Sequence, residues 1–354
     1  MNKRQYPNKF EPNLTDKKTL LIIDANNSLA NNYFGIKQEV IQNHVDKNKP
    51  LNLHIYTTAK RWINMITKYN PDKVIFVFDS KDKPVFRKQI FTPYKTKSKS
   101  KPLLEESINL TKQLLEHLYI NYLSVPGFEA DDTIASLARQ YSSKYNTYIW
   151  TNDKDLYQLI TPNVKIVKYN KSKYDFSVID ENYVLEHEGL LPQEYMQYKI
   201  IYGDKSNNTP GIPGLYWTTL VKKLLREHQT IDNIISLKTQ NRKIRKIILN
   251  LKVHWEIVEL NRQLVTLVST IDISSFDEHN SSKKKRSINS LYAIYKTNDL
   301  NYNFFKNVLL NIFIKNHQRY FKEQPIGYRE ETTNEVVPVL TNAKKIKKTA
   351  QIKK

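Results

Sequence analysis

Between Gly127 and Ser136 the chain reads GFEADDTIAS, which sets Glu129, Asp131 and Asp132 within four residues. Two carboxylates ~4 Å apart repel by about 4 kcal/mol at an effective dielectric of ~20. Solvent, a lysine or a metal ion must offset that repulsion. Further acids stand at the ends of apolar runs: TLLIID ends in Asp24, KVIFVFD in Asp79, and NTYIWTND in Asp153, with Asp155 two residues on. If the runs are parallel strands, these ends share one edge, where α/β proteins build their sites. A lone Asp ahead of a helix is ordinarily an N-cap, and for Asp24 or Asp132 taken singly that is the simpler reading. Acids at most of the strand ends, with no histidine or cysteine beside them, fit capping less well. An all-oxygen donor set suits Mg²⁺ or Mn²⁺. Clustered carboxylates near a basic loop point to two-metal phosphodiester hydrolysis. The chain has no cysteine, which excludes disulfides, thiolate metal sites and cysteine nucleophiles. No histidine lies in the acidic segments, so a Ser–His–Asp scheme has no support.

Alternating strands and helices must position these acids. Strand-like runs fall at 19–24, 73–79, 120–127, 146–153 and 163–169. Helical spacing links Tyr56, Ala59, Ile63 and Ile66, then 103–118, then Ile134, Leu137, Ala138 and Tyr141. Strands buried on both faces and alternating with helices predict an α/β fold with a mostly parallel central sheet flanked by helices. From about residue 180 the pattern is helical, with Pro192 placed to start a helix and further helical regions over 242–269 and 302–321. Gly203, Gly211 and Gly214 crowd into one stretch of a chain with 7 glycines, which predicts unusual dihedrals or a close backbone approach. Residues 80–102, SKDKPVFRKQIFTPYKTKSKSKP, form a basic loop of functional length.

Lys+Arg outnumber Asp+Glu by 56 to 35, for a net charge of +21. The usual partner of such an excess is nucleic acid, whose phosphates release counterions to lysine and arginine. A solvated surface is the plainer reading, and a lysine-, asparagine- and isoleucine-rich composition also suggests an AT-rich coding sequence. No apolar run reaches membrane length, and the N-terminus lacks a signal-peptide core. The expectation is a soluble cytoplasmic monomer without membrane contact. The segment after Tyr328 is polar and ends KKIKKTAQIKK, which predicts a disordered basic tail.

In order and spacing, these motifs resemble the flap endonuclease/5′-exonuclease family, in particular phage-type 5′ nucleases and the 5′ nuclease domain of bacterial DNA polymerases. LIIDANN is similar to the family's first strand, and FVFDSKDKPVFRKQIFTPYK to its second strand and the entry to a helical arch. GFEADDTIA resembles its Glu-x-Asp-Asp motif, TNDKDLYQL its Asp-x-Asp motif, and GDKSNNTPGIPG its helix–three-turn–helix; LNRQLVTL resembles the segment that follows. The resemblance covers roughly 20–273.

It implies a PIN-like nuclease core over 19–180 after an extension at 1–18, with the arch at about 81–118. A helical DNA-binding region would span 181–325, with its helix–three-turn–helix at about 195–228, before a tail at 326–354. Asp24, Asp79, Glu129, Asp131, Asp132 and Asp153 would hold the first of two Mg²⁺ or Mn²⁺ ions. Asp155 and Asp204 would hold the second, with Asp153 between them. Lys95 would meet the scissile phosphate, with Arg87 assisting and Asp153 also catalytic. Tyr33 would stack on a terminal base, an assignment that competes evenly with a buried helix aromatic. Tyr94, Lys97, Lys99, Lys101, Gly211, Gly214, Lys222 and Lys223 would contact DNA. A monovalent ion would sit at the helix–three-turn–helix.

Four positions depart from the family pattern: Asn207 replaces an Asp, Tyr216 a glycine, Thr218 a lysine and Ser98 an arginine. Asn207 brings no charge, so the second metal should bind more weakly. The implied activity is a 5′–3′ exonuclease or flap endonuclease acting on DNA with a 5′ single-stranded end or flap, or on RNA/DNA hybrid, and leaving 5′-phosphates. It would clear RNA primers or flaps in replication, beside single-strand-binding protein, clamp or polymerase, in a bacterial host cytoplasm if phage-encoded. The alternatives are a catalytically weakened DNA-junction-binding module and a PIN-type ribonuclease, which is usually shorter and lacks the GD…PGIPG segment.

Overall fold

The computed structural model describes residues 17–35, 53–80, 85–96, 102–170, 175–273, 287–297, 328–329 and 336–337. In β1 (Lys18–Asp24), Leu20 and Ile22 pack on one face and Leu21 and Ile23 on the other, and all four are buried. A strand alternates its side chains with a period of two, so an unbroken apolar run demands cover on both sides. Helices α1 (Ala25–Gly35), α2 (Leu53–Tyr69) and α4 (Pro102–His117) supply it on one face, and α5 (Ala130–Tyr141) on the other.

The sheet order is β3-β2-β1-β4-β5-β6, with β2 (Lys73–Val77), β3 (Asn121–Leu123), β4 (Tyr145–Trp150), β5 (Val164–Asn170) and β6 (Asp175–Ile179). All neighbours run parallel except β6, which is antiparallel to β5. In register, Asp24 lies opposite Val77, and Ile23 opposite Trp150. The C-terminal ends of β1, β2 and β4 therefore share one edge. Five strands match the predicted runs. β6 does not, because its edge position buries only Phe176 and Ile179 and leaves a weak apolar signal.

The chain then turns helical: α6 (Glu181–Glu188), α7 (Pro192–Tyr202), α8 (Thr218–His228), α9 (Ile231–Ile235), α10 (Arg242–Val253) and α11 (Trp255–Val265). Pro192 does open α7. The helical region expected over 242–269 consists of α10 and α11, parted at His254 (φ −106°, ψ 32°), and the chain turns extended at Thr266. A further helix, α12 (Ile288–Thr297), places Leu291 on the core, and β7 (Tyr328–Arg329) pairs with β8 (Val336–Val337). The helix predicted at 302–321, most of the basic tail, and Lys97, Lys99 and Lys101 lie outside the described residues. Among the described residues, no helix is long and apolar enough to cross a membrane.

Within the basic loop the chain forms a short helix, α3 (Phe86–Ile90), and a turn at 92–96. Arg87 corrects its predicted role. Its side chain is 1% exposed, so it does not face a substrate. Its guanidinium donates to both carboxylate oxygens of Asp132 at 2.6 and 2.7 Å and to Glu129 Oε2 at 3.0 Å. It also donates to the carbonyls of Leu264 (2.9 Å) and Thr266 (3.2 Å). All five donors of the fork are thereby satisfied. Asp132 is corrected with it. That carboxylate is fully buried, held by Arg87 and by the backbone N–H of Val268 at 2.9 Å, which leaves it no place in a metal shell.

Removing one partner of such a pair strands the other charge. Arg87→Met should lower the unfolding free energy by about 3–5 kcal/mol, read from urea denaturation, and adding Asp132→Asn should recover part of the loss. An unmoved midpoint for Arg87→Met would return Arg87 to the substrate face.

Candidate active site

At the shared strand edge, Asp24 accepts the N–H of Asn27 (3.0 Å) and the hydroxyl of Thr151 (2.8 Å). Asp79, two residues beyond β2, accepts the N–H of Ala130 at 2.9 Å, which ties it to the start of α5. Asn26 Oδ1 accepts the Asp79 N–H (3.2 Å), and Asn27 Oδ1 accepts that of Asn152 (3.0 Å), so the start of α1 is joined to the loops after β2 and β4. Asp153 accepts the N–H of Asp155 at 2.8 Å.

Burial raises the pKa of Asp24 from 3.8 to about 7, and the charges of Asp79 and Asp153 add to the rise. Burial also raises Asp131 well above the carboxylate range, helped by Asp24 and Asp153, and raises Asp79. The structure thus brings Asp24, Asp79, Asp131 and Asp153 within electrostatic reach of one another. Among the described residues, no three His, Cys, Asp or Glu side chains close to metal-ligand geometry. The donor set nevertheless fits a divalent cation in kind: it is all oxygen, and its members oppose one another's ionisation.

Two lysines flank this cluster. Lys95 Nζ donates to Glu129 Oε1 at 2.5 Å. Burial alone would raise Glu129, but Lys95, Arg87 and the Tyr94 hydroxyl together hold its pKa below the ordinary value. Tyr94 is 4% exposed and its hydroxyl donates to Glu129 Oε2 at 2.9 Å. Its predicted DNA contact is therefore replaced by support of Glu129. Lys199, on α7, lies within the expected helix–three-turn–helix but is not among the residues that the resemblance assigns to the site. Its ammonium bridges Asp155 and Asp204, reaching Asp204 Oδ2 at 2.8 Å. Burial raises Asp155 despite Lys199, whereas Lys199 and Ser206 lower Asp204. A lysine five positions before the acid of GDKSNN is the only sequence trace of this bridge. An open cleft of about 620 Å³ runs past Asp153, Asp155, Lys199 and Asp204.

Asp204 enters through the predicted glycine turn. Gly203 has φ +67° and ψ −166°, and a Cβ there would sit 2.4 Å from the carbonyl oxygen of Thr209. Glycine is essentially the only residue for that conformation. The turn closes by paired backbone bonds between Asp204 and Thr209 at 3.0 and 2.9 Å. Buried Asn261, from LNRQL, donates to the carbonyls of Ile200 (2.8 Å) and Pro210 (2.6 Å) and fixes the turn to α11. Asn207 lines a separate, small pocket together with Asp155, Lys199 and Asp204.

The expected nucleic-acid contacts divide. Gly211 and Lys223 are exposed and Gly214 is half-buried. Lys222 is half-buried, donating to the carbonyl of Glu188 at 2.5 Å, above the Tyr198 ring. Tyr33 is half-buried, edge-on to Phe34 at 5.2 Å, and Phe34 is the more exposed ring. Tyr216 is 83% exposed. Beside it, Lys246 of α10 lies 5.4 Å from the Trp217 ring. Helix α10 carries Arg242, Lys243, Arg245, Lys246 and Lys252 and no acid.

A family model described as 5′-3′ exonuclease, N-terminal resolvase-like domain, matches residues 19–189, and one described as 5′-3′ exonuclease, C-terminal SAM fold, matches 190–287. The chain is 31% identical over 296 residues to the 5′-3′ exonuclease of Buchnera aphidicola, covering 80% of this chain and 99% of that one. It is 30% identical over 263 residues to the 5′-3′ exonuclease of Aquifex aeolicus, covering 74% and 86%. It is 30% identical over 327 residues to DNA polymerase I of Borreliella burgdorferi, covering 92% of this chain but only 34% of the polymerase. In fold it is similar to T5 5′-exonuclease with bound zinc (TM-score 0.54, 20% identity, 71% and 90% covered). It is likewise similar to the catalytic core of Rad2 in complex with DNA substrate (TM-score 0.54, 16% identity, 84% and 92% covered). A mostly parallel sheet with an acidic edge, followed by a helical half whose glycine-pinned turn carries Asp204, defines a 5′ nuclease. The chain belongs to the 5′-3′ exonuclease family.

The electrostatics of the acidic edge give a signed prediction. The folded-state pKa of Asp24 is raised, so its contribution to stability is fully present below 3.8 and is lost as pH rises toward about 7. In EDTA, the stability of Asp24→Asn relative to wild type should therefore increase between pH 5 and pH 8, by on the order of a few kcal/mol. Thermal melts at the two pH values measure it, and a pH-independent difference would refute the raised pKa.

Proposed function

We propose that this chain is a divalent-metal-dependent, structure-specific 5′ nuclease that removes 5′ single-stranded ends or flaps, including RNA primers, from duplex nucleic acid during replication. The observation that carries the reading is the acidic edge, built from β1, β2, β4 and α5 and bordered by the ammonium groups of Lys95 and Lys199. Asp24, Asp79, Asp131 and Asp153 would hold one Mg²⁺ or Mn²⁺ ion, with Glu129 beside Lys95. Asp155 and Asp204 would hold a second once Lys199 yields. Ions bound there would lower the pKa of a water and stabilise charge on the attacking and leaving oxygens. The chain's own groups do the rest. Lys95 would move from Glu129 to the scissile phosphate and meet its developing charge. The start of α1, hydrogen-bonded to the loops after β2 and β4, would keep the acids in place through the reaction.

The cations of α10, with Tyr216 and Trp217 alongside, would hold the duplex by its phosphates with little reading of sequence. Asn207 leaves the Asp155–Asp204 end with one charge fewer than the family pattern, so that end should take up its ion at higher concentration than the first.

A labelled 5′-flap duplex and an RNA-primed duplex, incubated with Mg²⁺ or with EDTA, test the reading. Metal-dependent release of 5′-phosphate products is expected, and cleavage of neither substrate would sink it. Asp153→Asn should lose cleavage by about 100-fold or more while binding the flap duplex as well as wild type; weakened binding with normal turnover contradicts its assignment. Neutralising Arg242, Lys243, Arg245 and Lys246 together should lower the slope of log affinity against log salt by about 0.9 for each phosphate that the variant no longer neutralises. An unchanged slope would place the duplex elsewhere.

A further inference from the structure

Asn208 lies outside the carboxylate cluster, yet it joins the two segments that carry Lys95 and Asp204 into it. Its side-chain amide donates to the carbonyl of Pro93 at 2.9 Å and to Thr96 Oγ1 at 2.9 Å. One residue earlier, the carbonyl of Asn207 accepts the N–H of Lys95 at 3.1 Å. Partners at positions 93, 95 and 96 thus bracket Lys95 from one side. Lys95 itself has φ +49°, a left-handed conformation that its β-carbon disfavours. Such a conformation persists only where the surroundings over-determine it, and the three bonds to Asn207 and Asn208 provide that constraint. On its other side the turn is fixed independently. The Asp204–Thr209 backbone pair closes it, and Asp204 Oδ1 accepts the N–H (2.8 Å) and the hydroxyl (2.6 Å) of Ser206. The clamp therefore anchors the Lys95 loop to a rigid element of the helical half.

We propose that Asn208 is a positioning residue for cleavage: it clamps the Lys95 loop to the Asp204 turn and so sets the direction of the Lys95 ammonium. The inference rests on the role given to Lys95 under Proposed function. Asparagine suits the place on two counts. It tolerates its own left-handed φ of +56°, and one amide supplies both N–H donors. Aspartate would keep the shape and the φ but lose the donors. Glycine would keep the φ and lose the side chain. The clamp also couples the halves of the molecule: a duplex that shifts the 204–209 turn shifts Lys95 with it.

The test uses the full chain with Mg²⁺ and a labelled 5′-flap duplex under single-turnover conditions. Asn208→Gly and Asn208→Asp should each slow cleavage by about tenfold or more, and Thr96→Val, at an exposed position, by less. Flap-duplex affinity in EDTA and the unfolding midpoint should stay at wild-type values. In a Lys95→Ala background, Asn208→Gly should add no further loss, because the clamp acts through Lys95. An Asn208→Gly protein that cleaves at the wild-type rate overturns the inference. So does an equal loss in the presence and absence of Lys95, which marks a merely structural role. A wild type that leaves the flap uncut overturns the nuclease reading itself, whereas an active wild type with an equally active Asn208→Gly overturns the clamp alone.

Discussion

A single buried guanidinium holds the two halves of this nuclease in register. Arg87 reaches Glu129 and Asp132 at one end of α5 and the carbonyls of Leu264 and Thr266 where the chain leaves α11. Its partners lie 42 to 179 residues away in sequence. No local segment can satisfy them, so the pairing forms only when the sheet and the helical half meet. A charge left uncompensated in that interior is strongly destabilising. The end of α11 and the extended stretch after it are bound on further by Ser136, Gln158 and Asp132, which together engage the backbone of residues 265, 267, 268 and 271. The acidic edge thus stands on a seam made of polar contacts, with apolar cores on either side.

The acids and lysines along that edge divide into neighbourhoods of different charge. At Glu129 and Asp204, ammonium groups and hydroxyls outweigh burial and keep the carboxylates ionised. At Asp24, Asp79 and Asp131, burial and mutual repulsion prevail. The chain as a whole carries +21, yet its positive charge reaches this edge at few points. A cation delivered to the middle acids would meet the part of the edge where counter-charge from the chain is weakest.

Much of this was legible in the sequence, for physical reasons. Strands buried on both faces leave uninterrupted apolar runs, so β1, β2 and β4 could be read together with the acids that end them. Gly203 and Gly214 were legible because few residues tolerate their dihedrals, and Gly211 because a Cβ there would sit 2.6 Å from the Tyr202 carbonyl oxygen. Charge pairing was not legible. Nothing in VFRK or GFEADD says that Arg87 takes Asp132 and leaves Asp131 to the cluster, since their spacing along α5 is a single residue. The role of Tyr94 was hidden for the same reason, its hydroxyl having a buried partner far along the chain. Lys199 was hidden because helical neighbours gave it no partner. Edge position hid β6, where half-exposed residues dilute the strand pattern, and the break at His254 left no proline or glycine to mark it.

The two rims of the sheet have a consequence for the molecule's behaviour in a crowd. The inner strands are as apolar as those of an aggregation-prone segment, and an exposed strand edge is a template on which other chains can pair. Here one rim is β3, three residues long, and the other is β6, which reverses direction and carries Asp175 and Ser177. Neither offers a long, flat, apolar strip of backbone. The sheet ends where recruitment of a stray strand would begin.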